Sequence, residues 1–522
     1  MSEAGDIKIE NKRSKNSQMA INLIASIITF VVNLCVKFFL TPFIVGSLGT
    51  EAYGFIGLST DIISYTSLIT VALNSMAGRF ITIEYVSGNI RKANKYFSSV
   101  FFSNVISSSV ILSLAVFCVI WLEYFINIPP HLVWDVKALF SILIFNNLLG
   151  LVFGTWGVAT FIKNRIELST ICRLISNLIY SSLLLVLFAF YAPHVWYIGL
   201  ASVFMTLFIA ITNIFYSRRL TPDLIVKKIY FRVSYVKELV SSGIWNVLNK
   251  IGDVLGYGLN LLVANLFMGS TAMGIFALTK NIPFVILAFF QITSTVFAPV
   301  QTQLYAQNKR EELAHELNKS IRMLGFFTVI ILTFLFVWGD VFYSLWLPMQ
   351  DSKLLQLLTV LGILDYVLSM PIQSLWNIFT ITNKLKYSSL SLLISSVLII
   401  TVILVSMQLT DSETIRLCVL AVSAAVVSLL RSLFFLPIYG AYCLNLPRTI
   451  FYKPMFKTVF SFAISVSLVF CIRLIWSAES WFALLLVGVI TSGICSIISL
   501  IVLLDKSDRV NINNTIKKHL KL

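Results

Sequence analysis

Leu48-Gly-Thr-Glu-Ala-Tyr-Gly-Phe-Ile-Gly-Leu-Ser-Thr-Asp-Ile62 returns 220 residues later as Met268-Gly-Ser-Thr-Ala-Met-Gly-Ile-Phe-Ala-Leu-Thr-Lys-Asn-Ile282. Five of the fifteen positions are identical, and the same shift pairs Tyr85 with Tyr305. Each copy is a glycine turn between two long apolar runs, so the repeat marks the same helical hairpin used twice. Six apolar runs separate the copies. An even number keeps both copies in one orientation, so the sequence predicts two parallel six-helix lobes related by an axis along the membrane normal.

Fourteen runs reach the roughly 20 apolar residues needed to cross a bilayer. They lie near 19–46, 52–78, 98–122, 138–161, 170–191, 195–217, 241–268, 271–299, 323–346, 354–381, 388–408, 415–440, 456–475 and 480–504. With the first residues placed in the cytoplasm, 31 of the 39 Lys and Arg fall in cytoplasmic segments and four (Lys137, Lys353, Arg416, Arg473) fall outside. This is the positive-inside pattern, and it places both termini in the cytoplasm. The expected organisation is a tail at 1–18, a lobe at 19–217, a linker at 218–240, a second lobe at 241–440, two further spans within 441–504, and a basic tail at 505–522. In the linker, Ile225, Ile229, Val233 and Val236 share a helical face, which suits a helix on the membrane surface; a solvated basic linker fits as well.

Composition agrees with an all-α polytopic membrane protein. Of 522 residues 58% are hydrophobic and 12% charged, where soluble domains carry about 45–50% and about 25%. The net charge of +16 is spread over short gaps between spans, so no nucleic-acid-binding patch is formed. Seven cysteines (Cys35, Cys118, Cys172, Cys418, Cys443, Cys471, Cys495) are scattered singly and read as small hydrophobes. His131, His194, His315 and His519 are dispersed, and no D-x-D or phosphate loop is present. Neither a metal, a cofactor nor an enzyme is implied.

The Gly49…Tyr53-Gly54 turn after a Pro42-containing first span, its copy at Gly269…Gly274 and the fourteen spans resemble the polysaccharide exporter branch of the multidrug/oligosaccharidyl-lipid/polysaccharide superfamily. The resemblance covers essentially the whole chain, through short and mostly structural motifs. It implies an alternating-access flippase in the bacterial cytoplasmic membrane, carrying a lipid-linked oligosaccharide to the outer leaflet. It also implies a polysaccharide polymerase and chain-length machinery as partners. A cation-coupled multidrug antiporter of the same superfamily is the alternative.

Two polar stripes interrupt the apolar runs. Asn22, Ser26, Thr29, Asn33 and Lys37 share one face of the first span, and Asn246, Asn249, Asp253, Tyr257 and Asn260 share one face of the seventh. The 220-residue shift superposes much of one on the other, which suggests a cavity shared by the lobes; polar glue between helices is the other reading. Lys37, Asp61 and Lys280 fall at one depth, about 13 Å along their helices from the glycine turns. Asp365 lies close to that level, on a face with Ser369, Gln373 and Asn377, while Lys250, Asp253 and Arg431 lie deeper. Charges at such depth cost about 2.5–3.5 kcal/mol each and usually pair or face water. Read structurally, Lys37 bridges to Asp61 and Lys250 to Asp253. Read with the resemblance, Lys37, Lys280 and Arg431, with Asn33, Asn249 and Asn260, hold the anionic substrate. Asp61, Asp253, Asp365 and Lys250 then tune those cations or bind a coupling ion. Pro42, Pro283 and Pro371 lie inside spans, where a lost backbone hydrogen bond predicts a bend.

Overall fold

The computed structural model describes residues 15–503; the expected tails at 1–18 and 505–522 lie outside the described residues except for 15–18. All regular structure among them is helical. Helices α1 (Lys15–Leu48), α2 (Thr50–Val86), α3 (Ile90–Ile120), α4 (Val133–Phe153), α5 (Ile166–Phe190), α6 (Trp196–Leu220) and α7 (Val233–Ser242) come first. They are followed by α8 (Ile244–Asp253), α9 (Asn260–Met268), α10 (Ser270–Thr279), α11 (Asn281–Thr295), α12 (Ala298–Ala306) and α13 (Arg310–Trp346). The last are α14 (Ser352–Gly362), α15 (Leu375–Ile381), α16 (Leu385–Leu409), α17 (Glu413–Phe434), α18 (Leu436–Leu444), α19 (Tyr452–Ile475) and α20 (Trp481–Val502).

Among the described residues, thirteen helical stretches are long and apolar enough to cross a membrane, against about fourteen expected. The difference is the run at 354–381. It is split into α14, a turn at Tyr366–Ser369, a tight turn at Pro371–Ser374, and α15. Asp351 starts the run by accepting hydrogen bonds from the Lys353 and Leu354 amides at 3.0 and 3.1 Å, an N-cap. Gly362 ends α14, and Pro371, which has no amide hydrogen, blocks continuation. Pro283 sits at the start of α11, beside the break at Lys280, whereas Pro42 is accommodated inside a continuous α1.

The repeat is visible in the backbone. Gly49 and Gly269 both take left-handed conformations, with φ of +83° and +91°, a region glycine occupies without steric cost. Gly88 and Asn308, also 220 residues apart, do so at +82° and +56°. Each closes its helix with the same reach-back bond: the Asn89 amide to the Glu84 carbonyl at 2.9 Å, and the Lys309 amide to the Leu304 carbonyl at 3.0 Å. A third pair, Asn164 and Asn383, repeats the motif at +52° and +53°.

Packing divides the described residues into two compact units: residues 15–47 with 66–125 and 130–244, and residues 48–65 and 126–129 with 245–503. In the first, α4 packs along α3 and α6, and α5 along α6. A core of Leu73, Ala77, Ile81, Phe97 and Val100 closes over Leu224 and Leu239. The 218–240 segment is therefore no continuous surface helix; beyond the end of α6 at Leu220, only α7 and a turn at Lys228–Tyr230 are helical. Asn94, Ser98 and Ser99 of α3 compete for its backbone. Asn94 donates to the Asp223 carbonyl and accepts from the Ile225 amide, both at 2.9 Å, and Ser99 accepts from the Arg232 amide at 3.1 Å. Side-chain partners of this kind favour extended chain over helix.

In the second unit α13 is the central pillar, with 61% of its membrane-length window buried where α3 buries 11%. The two last spans pack on it: Val469 of α19 and Val487 and Cys495 of α20 meet Val329 and Trp338 of α13. Arg473 of α19 pairs with Asp340 of α13. At the repeat turns, the start of α2 crosses α10. A Cβ on Gly54 would stand 2.9 Å from the Gly274 backbone, and one on Gly274 would overlap the Thr50 carbonyl. Gly274→Val should accordingly lower the thermal stability of detergent-solubilised protein by about 1–3 kcal/mol, the cost of overpacking. Gly46→Ala, where nothing lies within 4 Å, should not. An unchanged melting temperature for Gly274→Val would show that this crossing is loose.

Candidate binding cavity

Three helices of the second unit break around one space. After Asp253 the chain widens into a π-helical turn at Val254–Gly258, a local expansion found mostly at functional sites. At Lys280 the eighth span passes from α10 to α11, and between Gly362 and Leu375 the tenth is fragmented. Together they enclose a cavity of about 690 Å³ whose wall includes Asn249, Asp253, Tyr257, Asn260, Lys280, Asp365, Trp376 and Arg431. Polar side chains at spacings of four, four and three along the seventh span face this space, as the stripe predicts.

Three of the four charges on the wall have distinct surroundings. Lys280 Nζ donates to Asp61 Oδ2 at 2.7 Å, with both side chains partly exposed. Asp365 is 4% exposed, and its Oδ2 accepts from Ser369 Oγ at 2.9 Å and Ser428 Oγ at 2.8 Å. Arg431 lies over the Trp376 ring, 5.9 Å from its centroid, within cation–π range. Its Nε and Nη1 are buried without a hydrogen-bond partner. The wall thus carries two acids (Asp253, Asp365) and two bases (Lys280, Arg431).

Of the residues singled out in the sequence, Lys280, Arg431, Asn249, Asn260, Asp253 and Asp365 converge on this cavity. Asp61 stands behind the wall, on Lys280. Lys250 is not on the wall and, among the described residues, makes no ion pair with Asp253 within 4.0 Å. The expected i,i+3 bridge is not formed although both residues lie on α8; Asp253 borders the cavity instead. In the first unit, Asn33 Oδ1 accepts from Asn177 Nδ2 at 2.7 Å, and Asn22 Oδ1 from the Glu167 amide at 3.1 Å. Both bonds tie α1 to α5, the polar-glue reading of that stripe, while Lys37, one turn beyond Asn33, is exposed. Asn377 donates to Gln301 Oε1 at 3.0 Å and is not on the wall. Sequence reasoning missed Trp376 and Ser428. The signal for the latter was its place three residues before Arg431 on one helical face.

The profile of a family described as "Polysaccharide biosynthesis protein" matches residues 47–350. A curated relative, the "Uncharacterized membrane protein EpsK" of Bacillus subtilis (strain 168), is 28% identical over 502 residues, covering 94% of this chain and 97% of its own. Among solved structures, the lipid II flippase MurJ in an inward closed conformation superposes with a TM-score of 0.65 at 15% identity, over 92% of this chain and 99% of that one. An inward-facing multidrug resistance MATE family transporter of the MOP superfamily gives 0.58 at 14%, over 82% and 98%. The fold is that of multi-span membrane transporters and flippases. The chain belongs to the polysaccharide biosynthesis protein family, as the glycine turns and span count lead one to expect.

The Lys280–Asp61 pair joins the break in the eighth span to α2. Lys280→Ala or Asp61→Ala should each destabilise the detergent-solubilised protein, read as a lower melting temperature, by more than the roughly 0–1 kcal/mol of an exposed pair and less than the roughly 3–5 kcal/mol of a fully buried one. The exchanged double variant Asp61→Lys with Lys280→Asp should recover part of the loss. Additive losses in the exchange would show that the two charges are not coupled.

Proposed function

We propose that this protein is an alternating-access flippase that moves a polyprenyl-pyrophosphate-linked oligosaccharide from the inner to the outer leaflet for surface polysaccharide assembly. In this reading it is no enzyme, it works in the bacterial cytoplasmic membrane with both termini inside, and a polymerase with chain-length machinery acts after it. The lobes are 19–217 and 241–440, with the last two spans added. The observation that carries the reading is the cavity of the second unit, which combines apolar wall with Arg431, a cation no carboxylate neutralises directly. Family membership supports a glycan passenger, and Lys37 on α1 supplies a further cation for its anionic groups. A membrane potential that is negative inside favours outward movement of an anion by roughly 2.3 kcal/mol per charge per 100 mV, so the direction agrees with the sign of the passenger's charge.

Lipid mass spectrometry on cells with and without the gene tests this directly. Deletion should accumulate one polyprenyl-pyrophosphate oligosaccharide, accessible from the cytoplasmic face. Lys37→Ala should reproduce that accumulation with normal protein levels in the membrane. An unchanged lipid profile in the deletion strain, with paralogues removed, would refute the flippase. Binding of a fluorescent cationic drug, displaced by sodium or protons, would then favour the antiporter.

A further inference from the structure

We infer that α7 and the turn before it form a docking surface for an anionic phospholipid of the leaflet at this end of the bundle, the cytoplasmic leaflet in the orientation proposed above. The acyl chains lie along Val233, Val240 and Ile244, and the headgroup is met by Lys227, Lys228, Arg232 and Lys237. The inference goes beyond the flippase reading and does not depend on which passenger is carried.

The helix has two apolar faces, and the fold uses one of them. On the inner face Leu239 is fully buried in the core that α7 shares with α3. The Tyr235 ring meets the Tyr96 ring edge-on at 4.5 Å, and Glu238 accepts from the Tyr96 hydroxyl at 2.8 Å. Spacings of three and four put Val233, Val236, Lys237 and Val240 on the opposite face. Val233 is 55% exposed, and Ile244, which opens the seventh span, is 46% exposed. Val236, Lys237, Val240, Ser241 and Ile244 line a groove of about 450 Å³. Apolar surface of this kind gains free energy when water leaves it, and among the described residues it lies open.

Charge selects the occupant. Between Thr221 and Ile244 there are four bases, Lys227, Lys228, Arg232 and Lys237, all exposed, and two acids. Both acids are committed elsewhere: Asp223 accepts from the Tyr85 hydroxyl and Glu238 from that of Tyr96. The bases therefore stay uncompensated beside an apolar groove, the combination that an anionic headgroup above acyl chains completes. A zwitterionic headgroup brings an ammonium that opposes them. The seventh span begins at Ile244, a residue of the groove itself. The surface thus lies at the membrane boundary, where lipid is the immediate neighbour and a protein helix would have to displace it.

The surface is also held in place before any lipid arrives. Ser98 and Ser99 of α3 accept from the Lys227 and Arg232 amides at 3.2 and 3.1 Å, which pins the chain beside two of the bases. At the other end Gly243 rests on α2, where a Cβ would stand 2.1 Å from the Ala72 carbonyl oxygen. Groups fixed in this way lose little further freedom on binding.

Native mass spectrometry of the full chain, released from detergent with phosphatidylglycerol or with phosphatidylcholine of matched acyl chains, tests this. Phosphatidylglycerol should bind about 5- to 25-fold more tightly, a factor of about five for each of one or two bases engaged. The variant carrying Lys227→Gln, Lys228→Gln, Arg232→Gln and Lys237→Gln should lose that preference, and Arg431→Gln, in the cavity, should keep it. Val233→Asn with Val240→Asn should weaken both lipids alike. Equal affinity for the two lipids in the unsubstituted protein would overturn the proposal, as would a preference that survives the fourfold variant or vanishes with Arg431→Gln. Hydrogen exchange of the unsubstituted protein in nanodiscs of each lipid serves where a variant fails to fold. The amides of 233–242 should exchange more slowly in phosphatidylglycerol than in phosphatidylcholine. Equal exchange in both would overturn the lipid assignment and leave this face to an acidic protein partner.

Discussion

In hydrocarbon an unpartnered backbone N–H or C=O costs several kcal/mol, so irregular chain at membrane depth is tolerated only where it is buried in protein or lines a cavity. That constraint organises the second unit. Its helices break at the π-turn after Asp253, at Lys280 and between Gly362 and Leu375, and residues from all three breaks border the same space. The cavity and the breaks are one feature. Helices that stayed straight through these points would present fewer polar side chains to a common centre. The polar side chains in turn answer what the breaks expose: Tyr65 donates to the Gly258 carbonyl at 2.7 Å, and Tyr366 to the Pro283 carbonyl at 3.3 Å.

The glycine turns serve the same end from another direction. Gly49 and Gly269 each let the chain reverse at a left-handed residue, and Gly54 and Gly274 let the helices that follow them cross at backbone contact. Asp61 lies further along α2 and Lys280 just past the end of α10, so the close crossing sets the distance at which their charges meet. Thr271 Oγ1, donating to Glu51 Oε1 at 2.6 Å, and Asn281 Nδ2, donating to the Tyr53 hydroxyl at 2.9 Å, add polar ties along the crossing. Substituting either glycine thus reaches the ion pair through geometry, without touching a charge.

Fold class, repeat and thirteen of the fourteen expected spans were legible in the chain because each follows from hydropathy or from turn residues, which act locally. The tenth span is instructive in the other direction. Its hydropathy is that of a spanning helix, and Pro371 signals a bend, but the hydrogen bond that Asp365 accepts from Ser428 is made to another helix and leaves no local pattern. Partner choice is non-local throughout. Spacing proposes Asp253 for Lys250, yet Asp253 belongs to the cavity; depth places Asp61 level with Lys37 and Lys280 alike, and the helix crossing gives it Lys280. The two polar stripes looked equivalent by register, and their uses differ. Asn22 and Asn33 bind α5 and its preceding loop, whereas Asn249 and Asn260 keep unanswered atoms beside the cavity. No single-chain pattern separates those outcomes, since each is decided by whether a neighbouring helix offers a partner.

Neutralising most of the buried charge also suits turnover. A passenger held by several uncompensated cations would be bound tightly in both access states, and equal affinity for two states shifts neither. With Lys280 committed to Asp61 and Asp365 to its serines, one guanidinium on this wall is left to discriminate. Its environment is set by Trp376 on α15 and by Asp365, both carried on the fragmented tenth span, the least continuous element of the unit. A modest movement of that span would change the distance between Arg431 and the Asp365 carboxylate. An approach would weaken the hold on an anion and a separation would strengthen it, so the broken helix links backbone motion to affinity by electrostatics alone.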